Sequence, residues 1–337
     1  MNRTLILLLA VLLLGGIAWY ATTAGAAPEK VSERGNDRQF GYSNIDEVHR
    51  IFIADRKEHT ATFTRGGVTG WLVDGRPANE NIMKNMMTTL QKIDIQSLPT
   101  SKAVPNMVKN LATEGILVQL FDEAGKKLRG YYIGGSTNDE MGTFAIMEGS
   151  ENPYIVQMTG WTGNIRARFN LWDDDWRDKV YFRIDPDRVE RFSIEYPTIR
   201  NKSFLLEKQG SQYQLKPFYE SEQTGRDIAR GVAEGILARY EKYYVNRYQN
   251  EDEKGMEEAK EKLPFAIITL KEEGEDEKVM ELYPQYQEVT YQNDPKSGEV
   301  ITSGDIKSFK AYINNGEDWV LLNVETTLPL LVGYDSF

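Results

Sequence analysis

The chain has 337 residues, with 40 Lys and Arg against 51 Asp and Glu, for a net charge of −11. That balance disfavours nucleic acid and anionic lipid as bulk electrostatic partners. There is no Cys, which excludes disulfides, thiolate metal sites, Fe–S clusters, cysteine nucleophiles and lipidation of a cysteine at a signal cleavage site.

Arg3 precedes an apolar run from Thr4 to Tyr20, and no charge returns until Glu29. The run is about 17 residues, at the short end for a spanning helix. Trp19 and Tyr20 stand where interfacial aromatics belong. Ala24-Gly25-Ala26 also has the small-residue form of a cleavage site. Residues 1–27 are therefore read as a signal-anchor or a signal peptide, with the body exported in both cases. Residues 28–44 are polar with little periodicity and are read as a tether.

The body opens with Ile45–Ile53, whose pattern returns at Ile184–Ile194 with a two-residue insertion. Similar elements follow each copy. In the first, Val48–Ala54, Ala61–Thr64 and Gly70–Val73 alternate as strands. Asn79–Ile93 carries apolar residues 82, 83, 86, 87, 90 and 93 on one helical face, with Asn79 or Asn81 as cap. A short helix is expected at Val104–Leu111. Hairpins follow at Gly115–Ile133, closed by Gly134-Gly135, and at Thr143–Met158.

In the second copy, Val189–Tyr196, Ser203–Lys208 and Gln212–Leu215 read as strands. The spacing of Ile228, Val232, Ile236, Leu237, Tyr240, Tyr243 and Tyr244 predicts one helix from about Arg226 to Gln249. Glu251–Lys262 reads as a solvated helical extension or loop. Phe265–Leu270 pairs with Val279–Tyr283 across the acidic run Glu272–Glu277, read as a solvated tip. Ile306–Ile313 and Trp319–Val324 form the last hairpin. The fold expected is α+β: two related domains, 45–168 and 184–337, each an antiparallel sheet of hairpins with helices packed on one face. Between them, 169–183 holds Trp172, Trp176, Arg177 and Asp178 and reads as a packed junction, with Arg177 pairing among its neighbouring aspartates.

These features resemble domain-of-unknown-function family 4340, a family of bacterial envelope proteins. The resemblance rests on the N-terminal segment, the hairpin with Gly70-Trp71-Leu72-Val73, the helix after it, Gly134-Gly135, and above all Asp175–Phe182 running into Asp185–Ile194. It covers nearly the whole chain, through diffuse structural patterns. Genes of that family often lie beside those of gliding-motility-type ABC transporters. The resemblance therefore implies an accessory protein of such a transporter, anchored in the inner membrane with its body in the periplasm. It supplies no catalytic residues. The acidic stretch near 250–262 and the tyrosines at 283–291 depart from the family pattern.

No catalytic, cofactor or metal site is expected. His49 and His59 are the only histidines, and no second motif marks either as a base. Asp173-Asp174-Asp175 and Asp178 lack the alternation and glycine of a calcium loop. Neither Gly66-Gly67 nor Gly134-Gly135 has the spacing of a nucleotide loop. The aromatic set Tyr240, Tyr244, Tyr248, Tyr283, Tyr286 and Tyr291 is the candidate contact surface. Two functions follow from different premises. One is a non-enzymatic accessory or adaptor subunit whose partners are integral membrane transporter subunits. The other is a periplasmic binding module for a glycan or peptide, secreted as a soluble form if the signal is cleaved near Ala26.

Overall fold

The computed structural model describes residues 37–220, 224–287, 292–293, 300–301 and 305–337. The apolar run at residues 4–20 lies outside them; among the described residues no helix is long and apolar enough to cross a membrane. The chain divides into two units. The first runs to Arg76 and continues over Glu80–Asp173; the second comprises Pro77–Asn79 and Asp174–Phe337.

In the first part of the chain the strands are β1 (Arg50–Ala54), β2 (Thr60–Arg65), β3 (Trp71–Val73), β4 (Arg76–Pro77), β5 (Ile93–Ser97), β6 (Ile116–Phe121), β7 (Lys127–Ser136), β8 (Thr143–Met147) and β9 (Pro153–Met158). Helix α1 (Glu80–Lys92) lies between β4 and β5, and α2 (Val104–Glu114) between β5 and β6. The sheet order is β4-β3-β2-β1-β6-β7-β8-β9-β5. The helical stripe of α1 buries Met83, Met86 and Leu90, as its spacing predicts.

The second part has β10 (Val180–Phe182), β11 (Val189–Glu195), β12 (Phe204–Gln209), β13 (Gln212–Pro217), β14 (Arg226–Ile228), α3 (Arg230–Leu237), β15 (Tyr243–Tyr244), β16 (Arg247–Tyr248) and α4 (Glu253–Lys260). Then follow β17 (Ala266–Glu272), β18 (Lys278–Tyr286), a two-stranded ribbon of β19 (Gln292–Asn293) and β20 (Val300–Ile301), β21 (Ile306–Ile313), β22 (Asp318–Asn323) and α5 (Val324–Thr327). Its large sheet has the order β14-β13-β12-β11-β17-β18-β21-β22-β16, while β10 pairs with β15 in a small sheet.

The two nine-stranded orders are the same order. Strands β1–β4 correspond to β11–β14, β5 to β16, β6 and β7 to β17 and β18, and β8 and β9 to β21 and β22. Register agrees as well. Buried Ile51 and Ile53 pair with Leu120 and Val118, and buried Phe192 and Ile194 pair with Leu270 and Ile268. Ile133 opposes Ala145 as Leu282 opposes Ala311.

Several expectations need correction. The helix expected over 226–249 is only eight residues, Arg230–Leu237, followed by a 3-10 turn and two short strands. Gly231 and Gly235 each weaken a helix by about 1 kcal/mol relative to Ala. Tyr243, Tyr244 and Val245 favour extended backbone and alternate buried, exposed, buried. In the second domain the helices do not share a face. Leu282 joins the cluster holding Ala233, Ile236 and Leu237 of α3, whereas its neighbour Tyr283 joins Ala259 of α4. Successive strand residues point to opposite faces, so α3 and α4 cover opposite sides of the sheet.

Residues 37–44 are packed against the first domain instead of ending a tether. Phe40 is fully buried against Tyr131 and Tyr154, and Gly41 passes where a Cβ would come 2.7 Å from the Ile93 carbonyl oxygen. Gly134-Gly135 do not end the hairpin; they continue β7, with a register irregularity between Ile133 and Ser136. Glu272 in the acidic run is buried and accepts a hydrogen bond from the Asp185 amide at 3.0 Å.

Candidate functional site

The segment 169–183 is not a body of its own. Phe169–Asp173 goes with the first unit, and Asp174 begins the second. Trp172 stacks on His59 at 5.3 Å between ring centres, and the His59 ring nitrogen Nδ1 lies 3.0 Å from Asp55 Oδ2. Trp176 is fully buried. Arg177 donates to Asp174 at 2.7 Å, and through both terminal nitrogens to Asp318, at 2.8 and 2.7 Å. Asp178 pairs with Arg183 at 2.8 Å, away from Arg177. The expected local pairing of Arg177 thus holds for Asp174, but its main partner lies 141 residues later.

Asp318 has no exposed surface, and also accepts from Asn250 at 3.0 Å and Asn314 at 2.7 Å. Burial raises its pKa, but the hydrogen bonds from Arg177 and Asn314 more than offset that and hold it at about 2. The Tyr248 ring lies 3.8 Å from the guanidinium carbon of Arg177, and burial pushes its phenol up to about 12. Asp174, Arg177, Asn250, Asn314 and Asp318 are thus joined in one hydrogen-bonded cluster capped by the Tyr248 ring.

The tyrosines do not form one surface. Tyr240 is fully buried and donates to the Leu330 carbonyl at 2.9 Å. Tyr244 is exposed, with Lys242 over its ring at 5.7 Å. Tyr248 belongs to the Arg177 cluster. Tyr291 lies outside the described residues. Tyr283 and Tyr286 alone come together, at a cavity of about 620 Å³ in the second domain.

This cavity lies where the two domains differ. Gly134 follows the Ile133–Ala145 pair, and Tyr283 follows the corresponding Leu282–Ala311 pair. In the first domain α2 closes onto β7. A Cβ on Gly134 would come 2.9 Å from Leu111 Cδ2, and the Gly135 amide donates to Asn110 Oδ1 at 2.6 Å. Replacing Asn110 by Ala is expected to cost about 1–2 kcal/mol in unfolding free energy, because that part-buried amide loses its acceptor. In the second domain Tyr283, Tyr312 and Trp319 fill the same sheet face, and Ala259 and Met256 of the shorter α4 rest on them. With a Tyr283 ring where the first domain has Gly134, α4 rests on aromatic side chains instead of on backbone, and space remains beside it.

Asp252 caps α4, accepting from the Gly255 amide at 3.2 Å and from Trp319 Nε1 at 3.2 Å. The Lys310 ammonium forms an ion pair with the same carboxylate. That pairing lowers the Asp252 pKa, against a smaller opposing effect of burial. Lys254, Glu258 and Lys262 line the cavity from α4 and beyond it, and Leu263, Phe265 and Tyr286 add apolar surface. Leu263 is 71% exposed and Tyr286 58%. From its sequence, 251–262 reads as a solvated helical extension or loop, and Glu253–Lys260 is helical. The one signal it held was the interruption of charge by Met256 and Ala259.

Among the described residues no group of three or more His, Asp or Glu could hold a metal ion. No family model, curated protein or solved structure matches the chain.

Proposed function

We propose that the protein is a non-enzymatic binding protein of the bacterial cell envelope, and that its second domain holds the ligand. One observation carries this reading: the cavity between α4 and β18 in the second domain, at a place where the first domain makes a closed contact. Its volume falls in the range of small-ligand sites, which run roughly 300–1,000 Å³ and combine apolar walls with a few polar groups. The shared strand order supports reading the two domains as copies of one ancestral unit, one kept closed and one opened. Native mass spectrometry of the full chain purified from its own membranes tests this. A non-covalent adduct is expected on the natural protein and lost when Leu263 and Tyr286 are both changed to Ala. Both residues are exposed, so folding should be little affected. A bare chain in both samples would overturn the reading.

A second reading makes the protein an accessory subunit of a transporter. The apolar segment at residues 4–20 and the family resemblance favour it; a retained segment would place the body in the periplasm beside an inner-membrane permease. Crosslinking in gentle detergent separates it from a free binding module. Crosslinks to an integral membrane subunit support it, and an unpartnered chain starting at Ala27 opposes it.

A further inference from the structure

The cavity carries more chemical information than its volume. Three ammonium groups line it, from Lys254, Lys262 and Lys310, against two carboxylates, Asp252 and Glu258. Both carboxylates are already engaged with lysines. Asp252 pairs with Lys310, and Glu258 lies 3.8 Å from both Lys254 and Lys262. The Lys310–Asp252 pair is mostly buried, with 20% and 28% of the two side chains exposed. Beside it, Leu263 and Tyr286 face solvent although both line the cavity. Exposed apolar side chains next to a partly desolvated ion pair suit a ligand with two unlike ends. An apolar body would cover Leu263 and Tyr286. A negative group would compete with Asp252 for Lys310, taking a charge-assisted hydrogen bond from an ammonium on a side chain only 20% exposed.

Resting on the reading of the second domain as a binding module, we propose that this cavity takes a small organic anion with an apolar body, bound through its acid group to Lys310. Asp252 is then a built-in competitor. Its removal frees the ammonium, so affinity for the anion should rise. A neutral glycan would gain nothing from that change, and a cation would lose. Asn retains the capping oxygen for the Gly255 amide, so Asp252→Asn keeps the start of α4.

Calorimetric titration of the full chain in lipid nanodiscs, with empty nanodiscs as reference, tests the proposal. The probes are 2-naphthoate and its neutral counterpart 2-naphthamide. One saturable site per chain is expected, with naphthoate about tenfold or more tighter than naphthamide. Lys310→Gln should erase that difference, and Asp252→Asn should strengthen naphthoate severalfold. Thermal unfolding of each variant, run alongside, separates lost binding from lost fold. Equal affinity for the two probes, or weaker naphthoate binding by a folded Asp252→Asn variant, overturns the proposal. If the co-purified adduct is found while naphthoate is ignored, the anion assignment fails and the binding reading stands. If neither binds, both fail.

Discussion

Changing Arg177 to Ala should destabilise the second domain by about 3–5 kcal/mol, the cost of leaving one member of a buried ion pair without its partner. Asp318 is fully buried and faces Arg177 through two parallel hydrogen bonds at 2.7 and 2.8 Å. Removing the guanidinium strands that carboxylate beside Asp174, which shares the same cation. Arg177→Lys should recover little, because one ammonium cannot reproduce the planar fork or its stacking on Tyr248 at 3.8 Å. The surface pair Lys127–Glu148 is the internal comparison. It is about half exposed on its Lys side, and Lys127→Ala should cost no more than about 1 kcal/mol. Equilibrium denaturation reads all three, with a probe in the second domain for the two Arg177 variants and one in the first domain for Lys127→Ala. A cost for Arg177→Ala near that of Lys127→Ala would show that the cluster is not holding the domain together.

The same pair sets an acid response whose sign changes in the variant. In the natural protein the folded Asp318 pKa, about 2, lies below the usual value near 3.8. Its contribution, about 2 kcal/mol from that difference, is present above roughly pH 4 and is lost as pH falls through about 2. Without Arg177, burial is no longer overcome and the folded carboxyl titrates above its unfolded value. The penalty is then present at neutral pH and relieved by protonation. The gap in stability between Arg177→Ala and the natural chain should therefore narrow as pH falls from 6 to 3. A gap that stays constant would place the carboxylate's partner elsewhere.

What could be read from the sequence follows from how far apart the determinants lie. The strands announced themselves because alternation is local, as in Thr60–Thr64, where Ala61 and Phe63 are buried and Thr62 between them is not. The duplication was legible because Ile45–Ile53 and Ile184–Ile194 start equivalent strands. The Arg177–Asp318 pair was not, since nothing near Asp318 marks the first residue of β22 as the partner of an Arg 141 positions earlier. The tyrosine helix failed because Tyr240, Tyr243 and Tyr244 fit period 3.6 while Tyr243 and Val245 equally fit period 2 over so short a run, and two glycines tipped the balance. The cavity was hidden for a different reason. It exists only through the contrast of Gly134 with Tyr283, and that contrast needs the strand register of both copies.

Gly115→Ala should be comparably damaging in the first domain, although it adds a single methyl group. Gly115 is where the chain leaves α2 and enters β6, and its amide closes the helix by donating to the Leu111 carbonyl at 3.0 Å. A Cβ at this position would sit 2.2 Å from that same carbonyl oxygen and 3.2 Å from its carbon. The obstructing atoms are backbone, so no rotamer change relieves the overlap. Relief requires opening the last turn of α2, which carries Leu111 off Gly134 and disturbs the Asn110 bond to Gly135. Overpacking commonly costs about 1–3 kcal/mol, and a clash that must move two elements belongs at or above the top of that range. Gly149→Ala separates this steric cost from ordinary glycine strain. Gly149 has a φ of +79° and open space around its would-be Cβ, so its penalty is only the left-handed backbone, about 1–2 kcal/mol. If denaturation shows Gly115→Ala no worse than Gly149→Ala, helix and strand are joined more loosely than this geometry requires. The closed contact of the first domain would then not be what distinguishes it from the open second one.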